Sequence, residues 1–587
     1  MAFYFEAFED RRPPDPLAHS PRREAAFHFL ATISLMLGAW YIVWRWGWSL
    51  NTAALWFAVP LVMAETVAFI GMCLFIFNLW KVQDYPMWPP PESATVDVFI
   101  ATYSEDPELV RFSIRDAMRM TYPNPHLLDL RVHVCDDGKR QEMRRVAEEE
   151  GAGYITRTGN DGYKAGNLRH AVEHTSGEFI VICDADTRVF STFLERTLGY
   201  FRDPDVAWVQ TPQWFYDLPE GISLSQAWRQ SYGRPGGLLA RAIERVLGEV
   251  RVGEDPFCND ARFFYDVLQR RRNWANASFC CGAGSVHRRE AVLQAALRRY
   301  ADEIDGHVQR VTNDVADDEM RRDLAEAVTR GMALDTDVRP FKYHVSEDIY
   351  TSILLHSDPS RRWKSVLHPL VESKMLSPQD LQSWLIQRFK YAGGTFDIAL
   401  HDNPVFKRGL TLPQRLMYLA TFWSYFGCLW NVVFLLAPIV YLLTGIAPVS
   451  AYSFDFFKHA VPFLAVNELA LIVGLWGIAP TTGRAMYLAF FPIAMRAFWI
   501  VLRGEKIKFP VTPKERQDGR FLHLVRPQLI LTALSLVALA YGLTRTLMSA
   551  EQQWLGLATN VFWLASGLIA LATIVRAAVW QPPEQAE

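Results

Sequence analysis

The stretch VICDADTRVF, residues 181–190, places three apolar residues directly before the carboxylates of Asp184 and Asp186. A short apolar run of this kind is typical of a buried strand. Two carboxylates this close repel each other unless a cation or a set of donors lies between them. A divalent metal that holds a phosphate is one such cation. The tripeptide Asp-x-Asp also occurs elsewhere in the chain, so its meaning depends on its surroundings.

Short apolar runs alternate with helical patterns over residues 95–220. The predicted strands are 95–103, 130–137, 152–158, 177–186 and 206–212, and the predicted helices are 106–120, 138–150 and 162–175. This alternation predicts a parallel sheet covered on both faces, with ligands at the carboxyl ends of the strands. Asp136–Asp137, like Asp184 and Asp186, fall where a buried strand ends. For Asp136–Asp137–Gly138, a simple turn or helix cap is the alternative.

The composition indicates that one part of the chain lies in a membrane and another part in water. It has 587 residues, of which 50% are hydrophobic, and a formal net charge of -3. This length suggests several domains, and the apolar content suggests that part of the chain lies in a membrane. The near-neutral charge argues against a nucleic-acid-binding protein. The first residues are charged and rich in proline, which differs from a cleavable signal peptide. The scattered cysteines, without a C-x-x-C pair, indicate reduced thiols.

Six apolar runs are long enough to be transmembrane helices: 25–44, 54–80, 432–447, 460–479, 529–548 and 554–575. Two further segments, 410–430 and 481–504, mix aromatic or apolar residues with arginine and resemble helices that lie in the headgroup plane. The alternative is that one of them spans the bilayer.

Lys and Arg are concentrated in the N-terminal tail and in residues 503–526, whereas the other short loops have few. The excess of positive charge predicts that both regions, and the large soluble segment, face the cytosol. We therefore predict a polytopic α-helical protein of the bacterial inner membrane with a cytosolic α/β domain. Its predicted parts are a tail (1–24), two spans (25–80), the domain (90–408), an interfacial helix (410–430), two spans (431–480), an interfacial helix and basic loop (481–526), two spans (527–576) and a tail (577–587).

A series of short motifs occurs in one order along the chain: ATYSEDPELV, VCDDGKR, KAGNL, DADTRV, QTPQWFYD, SFCCGAGSV, SED, QRFKY and FPVTPK. Each motif is weak by itself, but the ordered set is specific. It resembles the processive family 2 glycosyltransferases of the bacterial cellulose synthase catalytic-subunit type, over about residues 80 to 575. The resemblance implies a GT-A domain and inverting, processive transfer of glucose from UDP-glucose to a growing β-glucan that is exported across the membrane.

The resemblance also implies roles for individual residues. It assigns UDP contacts to Thr102, Tyr103, Glu105, Asp136, Lys164, Asp184, Gln387, Arg388, Lys390, Phe509, Thr512 and Lys514. Asp184 and Asp186 would hold Mg²⁺ or Mn²⁺, hard cations that favour carboxylate and phosphate oxygens. Asp348, next to Glu347, would be the general base. Contacts with the acceptor sugar are assigned to Tyr391, Cys281 and Trp384.

The motif QRFKY departs from the family pattern Gln-(Gln/Arg)-x-Arg-Trp. Lys390 keeps a positive charge but lacks the bidentate geometry of arginine. Tyr391 offers a smaller ring with a polar tip beneath the acceptor sugar. We hypothesise a linkage other than pure β-1,4, such as the β-1,3 linkage of curdlan-type synthases. The alternatives are a neutral exchange in an ordinary cellulose synthase, and a nonprocessive enzyme that glycosylates a membrane lipid.

Three other segments carry expectations. FPVTPK, residues 509–514, matches the gating loop of the family, with a basic loop attracted to anionic lipid as the alternative. The charged segment 298–337 predicts a solvated helical insertion. The chain ends in QPPEQAE without a PilZ domain, from which we expect no direct control by cyclic di-GMP. The implied partners are the growing polysaccharide, the lipid bilayer and export subunits, with no nucleic acid. Candidate sugar platforms, or merely interfacial belt residues, are Trp384, Trp423, Trp430 and Phe426.

Overall fold

A computed structural model describes residues 11–581 except 219–220, 249, 254, 258, 260, 336–337, 379, 477, 479, 506, 508–518 and 550–552. The helices are α1 (Pro21–Trp48), α2 (Leu55–Leu79), α3 (Pro107–Met118), α4 (Gln141–Glu149), α5 (Tyr163–Glu173), α6 (Phe193–Thr197), α7 (Leu224–Leu247), α8 (Arg289–Thr312), α9 (Asp318–Asp335), α10 (Glu347–His356), α11 (Leu381–His401), α12 (Leu412–Thr444), α13 (Phe454–Gly474), α14 (Pro480–Ala489), α15 (Phe491–Leu502), α16 (Arg526–Met548) and α17 (Trp554–Val579). The strands are β1 (Ala94–Thr102), β2 (Leu128–Asp136), β3 (Gly153–Ile155), β4 (Phe179–Asp184), β5 (Arg188–Val189), β6 (Val206–Gln210), β7 (Gln213–Phe215), β8 (Ile222–Ser223), β9 (Arg251–Val252), β10 (Ser285–Arg288), β11 (Lys364–Leu367) and β12 (Ser373–Met375).

The soluble domain is built on a seven-stranded sheet in the order β11-β6-β10-β4-β1-β2-β3. All of its pairings are parallel except those of β10, which runs antiparallel to β4 and β6. The five strands and three helices predicted over 95–220 are confirmed, with boundaries that differ by a few residues. Neighbouring residues of β1 face opposite sides, as Val98 and Ile100 lie in one apolar core and Phe99 in the other. Burial on both faces explains why the strands are almost wholly apolar.

The register of the parallel strands determines which residues share an edge. Thr102 at the end of β1 lies opposite Asp136 at the end of β2, and Ala101 lies opposite Asp184 at the end of β4. The carboxyl ends of the three strands therefore meet at one edge of the sheet. This is where a sheet of this kind binds its ligands.

Six helical segments of the described residues are long and apolar enough to cross a membrane, which confirms the predicted number. They are Pro21–Trp48, Thr52–Leu79, Leu412–Thr444, Phe454–Gly474, Leu522–Met548 and Trp554–Val579. The charged insertion is helical as predicted, because α8 and α9 together cover most of residues 298–337.

The prediction of a separate interfacial helix over 410–430 is wrong. Residues 412–444 form one continuous helix of 33 residues, which begins with a capping box between Thr411 and Gln414. At 1.5 Å per residue this helix is about 50 Å long, which exceeds the thickness of the hydrocarbon core. Its first turns pack on the soluble domain, where Gln414 Nε2 donates to the Asn276 carbonyl at 2.8 Å. The amphipathic start of α12 therefore reflects contact with protein.

Residues 481–504 form parts of two helices, α14 and α15, bent by 49°. The pair passes the composition test for a span together, which would raise the number of spans to seven. Arg484 in α14 is bonded to Glu468 in α13, with Nη2 2.9 Å from Oε2. The interfacial position of residues 481–504 stays a prediction. The predicted gating loop, with Phe509, Thr512 and Lys514, lies outside the described residues.

The connection from α2 to β1 is held on the soluble domain at Gly199. A Cβ atom at this position would overlap the carbonyl oxygen of Trp88. Nearby, Arg202 Nε donates to the Pro89 carbonyl at 2.7 Å, so the connection rests on the turn that contains both residues.

We expect Gly199→Ala to destabilise the domain by about 1–3 kcal/mol, because the added methyl group meets backbone that cannot rotate away. Thermal unfolding in detergent, followed by tryptophan fluorescence, measures this effect. Gly331→Ala is the matched control, since a Cβ there meets nothing within 4 Å. An equal melting temperature for Gly199→Ala and the unmodified protein would contradict the proposed close contact.

Candidate active site

The first part of the site is a hydrogen-bond network at the ends of β1 and β2. Asp136, fully buried, accepts hydrogen bonds from the backbone N–H groups of Gly138 at 2.9 Å and Arg140 at 2.8 Å, and from the Tyr154 hydroxyl at 2.9 Å. A Cβ at Gly138 would overlap the Tyr103 carbonyl oxygen, so only glycine fits this turn. Asp136 is therefore held rigidly, with donors on both of its oxygens.

Arg140 joins the two strand ends. Its Nη2 donates to Thr102 Oγ1 at 2.9 Å and lies 3.3 Å from Asp136 Oδ1. Glu105 in turn accepts hydrogen bonds from Thr102 Oγ1 and from the Tyr103 N–H, both at 2.8 Å. Four residues predicted to contact a nucleotide thus belong to one network around Arg140. Arg140 is part of VCDDGKR, but no role was predicted for it; its position four residues after Asp136 was the available signal.

Asp137 positions the loop that leads into α5. Both of its oxygens accept hydrogen bonds from Arg157 at 2.7 Å. The same guanidinium donates to the carbonyls of Asp161 at 2.6 Å and Tyr163 at 2.9 Å. Tyr163 has a positive φ of 49°, a conformation that is uncommon for a residue other than glycine. This loop therefore holds the start of α5, and with it Lys164, in one place.

Lys164 connects two groups of carboxylates. Its Nζ donates to Asp184 Oδ1 at 2.6 Å. A Cβ at Gly282 would lie 2.9 Å from Asp348 Oδ2 and 3.4 Å from Lys164 Nζ, which places both side chains against that glycine. Burial alone would lower the pKa of Lys164, but the charges of Asp184, Asp348 and Glu347 outweigh it and raise the pKa. The ammonium group therefore stays charged at neutral pH.

The two carboxylates of the Asp-x-Asp motif have different surroundings. Asp184 lies beside Lys164 and is partly exposed, whereas Asp186 is fully buried and its Oδ2 accepts a hydrogen bond from the Leu376 N–H at 3.3 Å. Asp217 lies near Asp186. Burial and the charge of Asp186 raise the pKa of Asp217 to about 7. Asp217, the last residue of QTPQWFYD, was given no role in the sequence analysis.

These carboxylates fit a divalent cation only in part. Across the described residues there is no group of three or more His, Cys, Asp or Glu side chains that could hold a metal ion. Asp184 and Asp186 offer two oxygen-bearing side chains, and the rest of the coordination would have to come from ligand oxygens and water. Mg²⁺ is commonly bound in this way, through one or two carboxylates and substrate phosphates. The donor set thus fits a hard cation that arrives with a phosphate.

Glu347 and Asp348 begin α10. Burial and the adjacent charge of Asp348 raise the pKa of Glu347 well above its ordinary value. The buried Glu347 carboxyl group therefore keeps its proton to a higher pH than a free glutamate does. Asp348 lines a large cavity, whereas Glu347 is buried behind it. Of the two carboxyl groups, Asp348 is the one placed to meet a ligand.

The loop before β10 supplies the wall opposite α10. The Cys281 N–H donates to Gln210 Oε1 at 2.8 Å, and Gln213 Nε2 donates to the carbonyls of Cys281 at 3.2 Å and Ala283 at 3.0 Å. Cys281 lines the cavity, and its thiol pKa is raised by burial. The glutamines of QTPQWFYD therefore act on the site by holding this loop.

One face of α11 lines the cavity with Trp384, Gln387, Arg388 and Tyr391, which follow one another at intervals of three, one and three residues and so share one side of the helix. The Arg388 guanidinium carbon lies 5.3 Å from the Trp384 ring centre and 6.0 Å from that of Tyr391. Tyr391 is 44% exposed but Trp384 only 3%, so Tyr391 presents the accessible ring. Lys390 is not among the described residues that line the cavity.

The cavity has a volume of about 2300 Å³ and continues from Asp348 and Tyr391 between the membrane helices. Trp423 and Trp430 line it, and their ring centres are 6.0 Å apart. It reaches Tyr452, beyond the end of α12 that lies farthest from the soluble domain. Phe426, by contrast, packs against Phe396 and Phe498 at 5.1 and 5.9 Å. The site thus opens into a passage along the bundle.

Comparison with known proteins agrees with this arrangement. Residues 97–294 match the model of glycosyl transferase family 2. The chain is 28% identical over 567 residues to the cellulose synthase catalytic subunit [UDP-forming] of Pseudomonas fluorescens (strain SBW25), covering 94% of this chain and 66% of that protein. It is 28% identical over 571 residues to cellulose synthase 2 of Novacetimonas hansenii, covering 93% of this chain and 31% of that protein. The chain thus spans less than two thirds of either relative.

Among solved structures, the mannosyltransferase PcManGT from Pyrobaculum calidifontis, in complex with GDP-Man and Mn²⁺, matches with a TM-score of 0.44 and 15% identity. The match covers 75% of this chain and 99% of that one. The family match falls on the domain that contains the strand-end carboxylates, and the relatives align with the membrane helices as well. The chain therefore contains a segment that matches glycosyl transferase family 2 and is similar over most of its length to bacterial cellulose synthases.

Proposed function

We propose that the protein is an inverting, processive glycosyltransferase that moves glucose from UDP-glucose to a growing β-glucan and exports the chain through its membrane helices. The observation that carries the proposal is the cavity, which continues from Asp348 and Tyr391 at the catalytic domain to Trp423 and Trp430 among the helices. The similarity to a UDP-forming cellulose synthase catalytic subunit supports the donor and the polymer.

In the proposed reaction, Asp348 takes the proton of the acceptor hydroxyl. The hydroxyl oxygen attacks the anomeric carbon, and the bond to the UDP oxygen breaks, so the electron pair leaves with UDP. Asp348 is suited to this role because it lines the cavity, whereas its neighbour Glu347 is buried. Lys164, which is charged and adjacent to Asp348 and Asp184, would bind the diphosphate.

The network around Arg140 would hold the nucleoside. Hydrogen bonds join Thr102 to Glu105, and Arg140 bonds to both Thr102 and Asp136. The side chains that would face the ligand are therefore oriented before it binds. Asp184 and Asp186 would hold Mg²⁺ or Mn²⁺, which supplies positive charge to the departing diphosphate when bound.

The soluble domain is proposed to face the cytosol, where UDP-sugars are made, with both chain ends on the same side of the inner membrane. The concentration of Lys and Arg in the N-terminal tail and in residues 503–526 supports this orientation. Export subunits would then receive the polymer on the opposite side. A nonprocessive enzyme acting on a membrane lipid is the alternative, and a product one sugar long would identify it.

The linkage has two candidates. The relatives favour β-1,4, whereas the smaller ring of Tyr391, exposed beside Arg388, favours a changed tilt of the terminal sugar and thus β-1,3. We retain β-1,3 as the hypothesis because the ring beneath the acceptor determines which hydroxyl meets Asp348.

Asp348→Asn is expected to lower transfer by about 10²–10⁴-fold, because the variant cannot accept the proton. UDP binding, measured by calorimetry, is expected to persist. Glu347→Gln is the comparison variant: it keeps the shape of the protonated side chain and is expected to lose less activity. Turnover by Asp348→Asn within about tenfold of the unmodified protein would refute the assignment of the base.

Removal of divalent cations with EDTA is expected to reduce UDP release on the order of 100-fold, and Mg²⁺ or Mn²⁺ should restore it. Asp184→Asn should lower activity similarly in the presence of metal. Asp203→Asn is the matched control, since Asp203 belongs to another Asp-x-Asp tripeptide and pairs with Lys364 at 2.7 Å on the domain surface. Undiminished polymer formation in EDTA would contradict the metal site.

Digestion of the product with linkage-specific glucanases tests the acceptor platform. A β-1,3-glucanase is expected to degrade the polymer, and Tyr391→Trp is expected to increase the β-1,4 fraction by enlarging the ring. Lys390→Arg, which changes a side chain off the cavity face, should leave the linkage unaltered. A polymer of the unmodified protein that only a β-1,4-glucanase degrades would exclude the β-1,3 hypothesis.

A further inference from the structure

Helix α7, whose described residues do not line the cavity, folds into a hairpin. Gly233, at φ 68° and ψ −160°, breaks the helix into two halves. A Cβ at Gly236 would lie 2.8 Å from the Trp228 carbonyl oxygen, and one at Gly237 would lie 3.0 Å from Arg229 Cβ, so the halves pack against each other. The pairing of β8 with β9 closes the base. We call residues 222–252 the α7 hairpin.

The outer face of this hairpin is apolar. Leu238 and Leu239 are each 59% exposed, Val246 is 62% exposed, and Tyr232 next to the turn is 69% exposed. Leu239 and Val246 are seven residues apart, which is about two helical turns, and Leu238 is next to Leu239, so the three side chains lie on the same half of the helix surface. Within the described residues, none of these side chains belongs to an apolar core cluster. They form an exposed stripe.

Arginines flank the stripe. Arg229, Arg234, Arg241 and Arg245 are all exposed on the hairpin, and Glu244 is the acidic residue of the helix. Glu244 is turned inward, where its Oε1 accepts a hydrogen bond from the Ser225 N–H at 3.3 Å. An apolar stripe bordered by arginine matches the boundary between acyl chains and anionic headgroups.

The base of the hairpin lies next to the end of a membrane helix. Five residues after β9, the buried Phe257 packs edge-to-face on Trp580, with ring centres 5.6 Å apart. Trp580 directly follows α17, one of the six candidate spans. A tryptophan at this position is typical of the membrane–water interface. The hairpin therefore starts at the level at which α17 leaves the bilayer.

We propose that the α7 hairpin binds the anionic surface of the bilayer, with Leu238, Leu239 and Val246 among the acyl chains and the arginines at the lipid phosphates. The attachment gives the catalytic domain a second contact with the membrane besides the spanning helices. This proposal rests on α17 being a membrane span. It does not rest on the sugar, linkage or metal proposed above, so it can fail independently of them.

The test uses the full chain in lipid nanodiscs that contain phosphatidylglycerol. Leu239 is replaced by p-azidophenylalanine, and an environment-sensitive fluorophore is coupled to its azide. Some of the lipids carry a nitroxide near the headgroup. We expect the nitroxide lipids to quench most of the fluorescence. The matched control is the same label at Met320, which is 62% exposed, close to the 59% of Leu239, but stands beside Asp318 and Glu319 on α9. We expect no quenching there.

The arginines are tested in the same discs. Arg234→Gln, Arg241→Gln and Arg245→Gln together should reduce the quenching at position 239, and replacing phosphatidylglycerol with phosphatidylcholine should have the same effect on the unmodified arginines. Equal quenching at positions 239 and 320 would overturn the proposal. So would a label at 239 that is shielded from water yet unquenched by lipid, because a second copy of the chain or another protein would then cover the stripe.

Discussion

The parallel register of β1 with β2 and β4 is the constraint on which the site depends. It brings Thr102, Asp136 and Asp184 to one edge of the sheet, although they are far apart in the sequence. Burial of the strands on both faces resists a shift in register, because a one-residue slip would move every side chain into the opposite core, where its shape does not fit the packing. The positions of the polar groups are thus determined by apolar packing, and the chemistry of the edge follows from the core beneath it.

Lys164 lies at this edge of the sheet and connects it with the start of α10. Its ammonium group bonds to Asp184, and it stands against the same glycine as Asp348, a residue of α10. A positive charge between carboxylates keeps them close, since their mutual repulsion would otherwise be large in a partly buried site. Burial and the charge of Asp348 raise the pKa of Glu347, which disfavours one further negative charge in the group. The cluster therefore tolerates several acidic side chains while leaving Asp348 at the cavity.

The join between the domain and the membrane rests on α11 and α12. The cavity-facing side of α11 carries Arg388 and Tyr391, and the first turns of α12 lie on the domain while its later turns lie among the spans. Because one continuous helix belongs to both parts, the domain and the membrane helices are held in a fixed position relative to each other. This arrangement is what allows a single cavity to continue from Asp348 to Trp430.

The sequence by itself determined the alternation of strands and helices, the number of spans, and the strand-end carboxylates, because each has a local pattern of period, length or apolar composition. It misjudged residues 410–430, since an aromatic amphipathic segment has the same composition whether it meets lipid or protein. It also missed the contact of Arg140 with Thr102 in strand β1 and the raised pKa of the buried Asp217. Only the tertiary structure decided which of the carboxyl groups at 347 and 348 meets the cavity, because burial depends on residues distant in the chain.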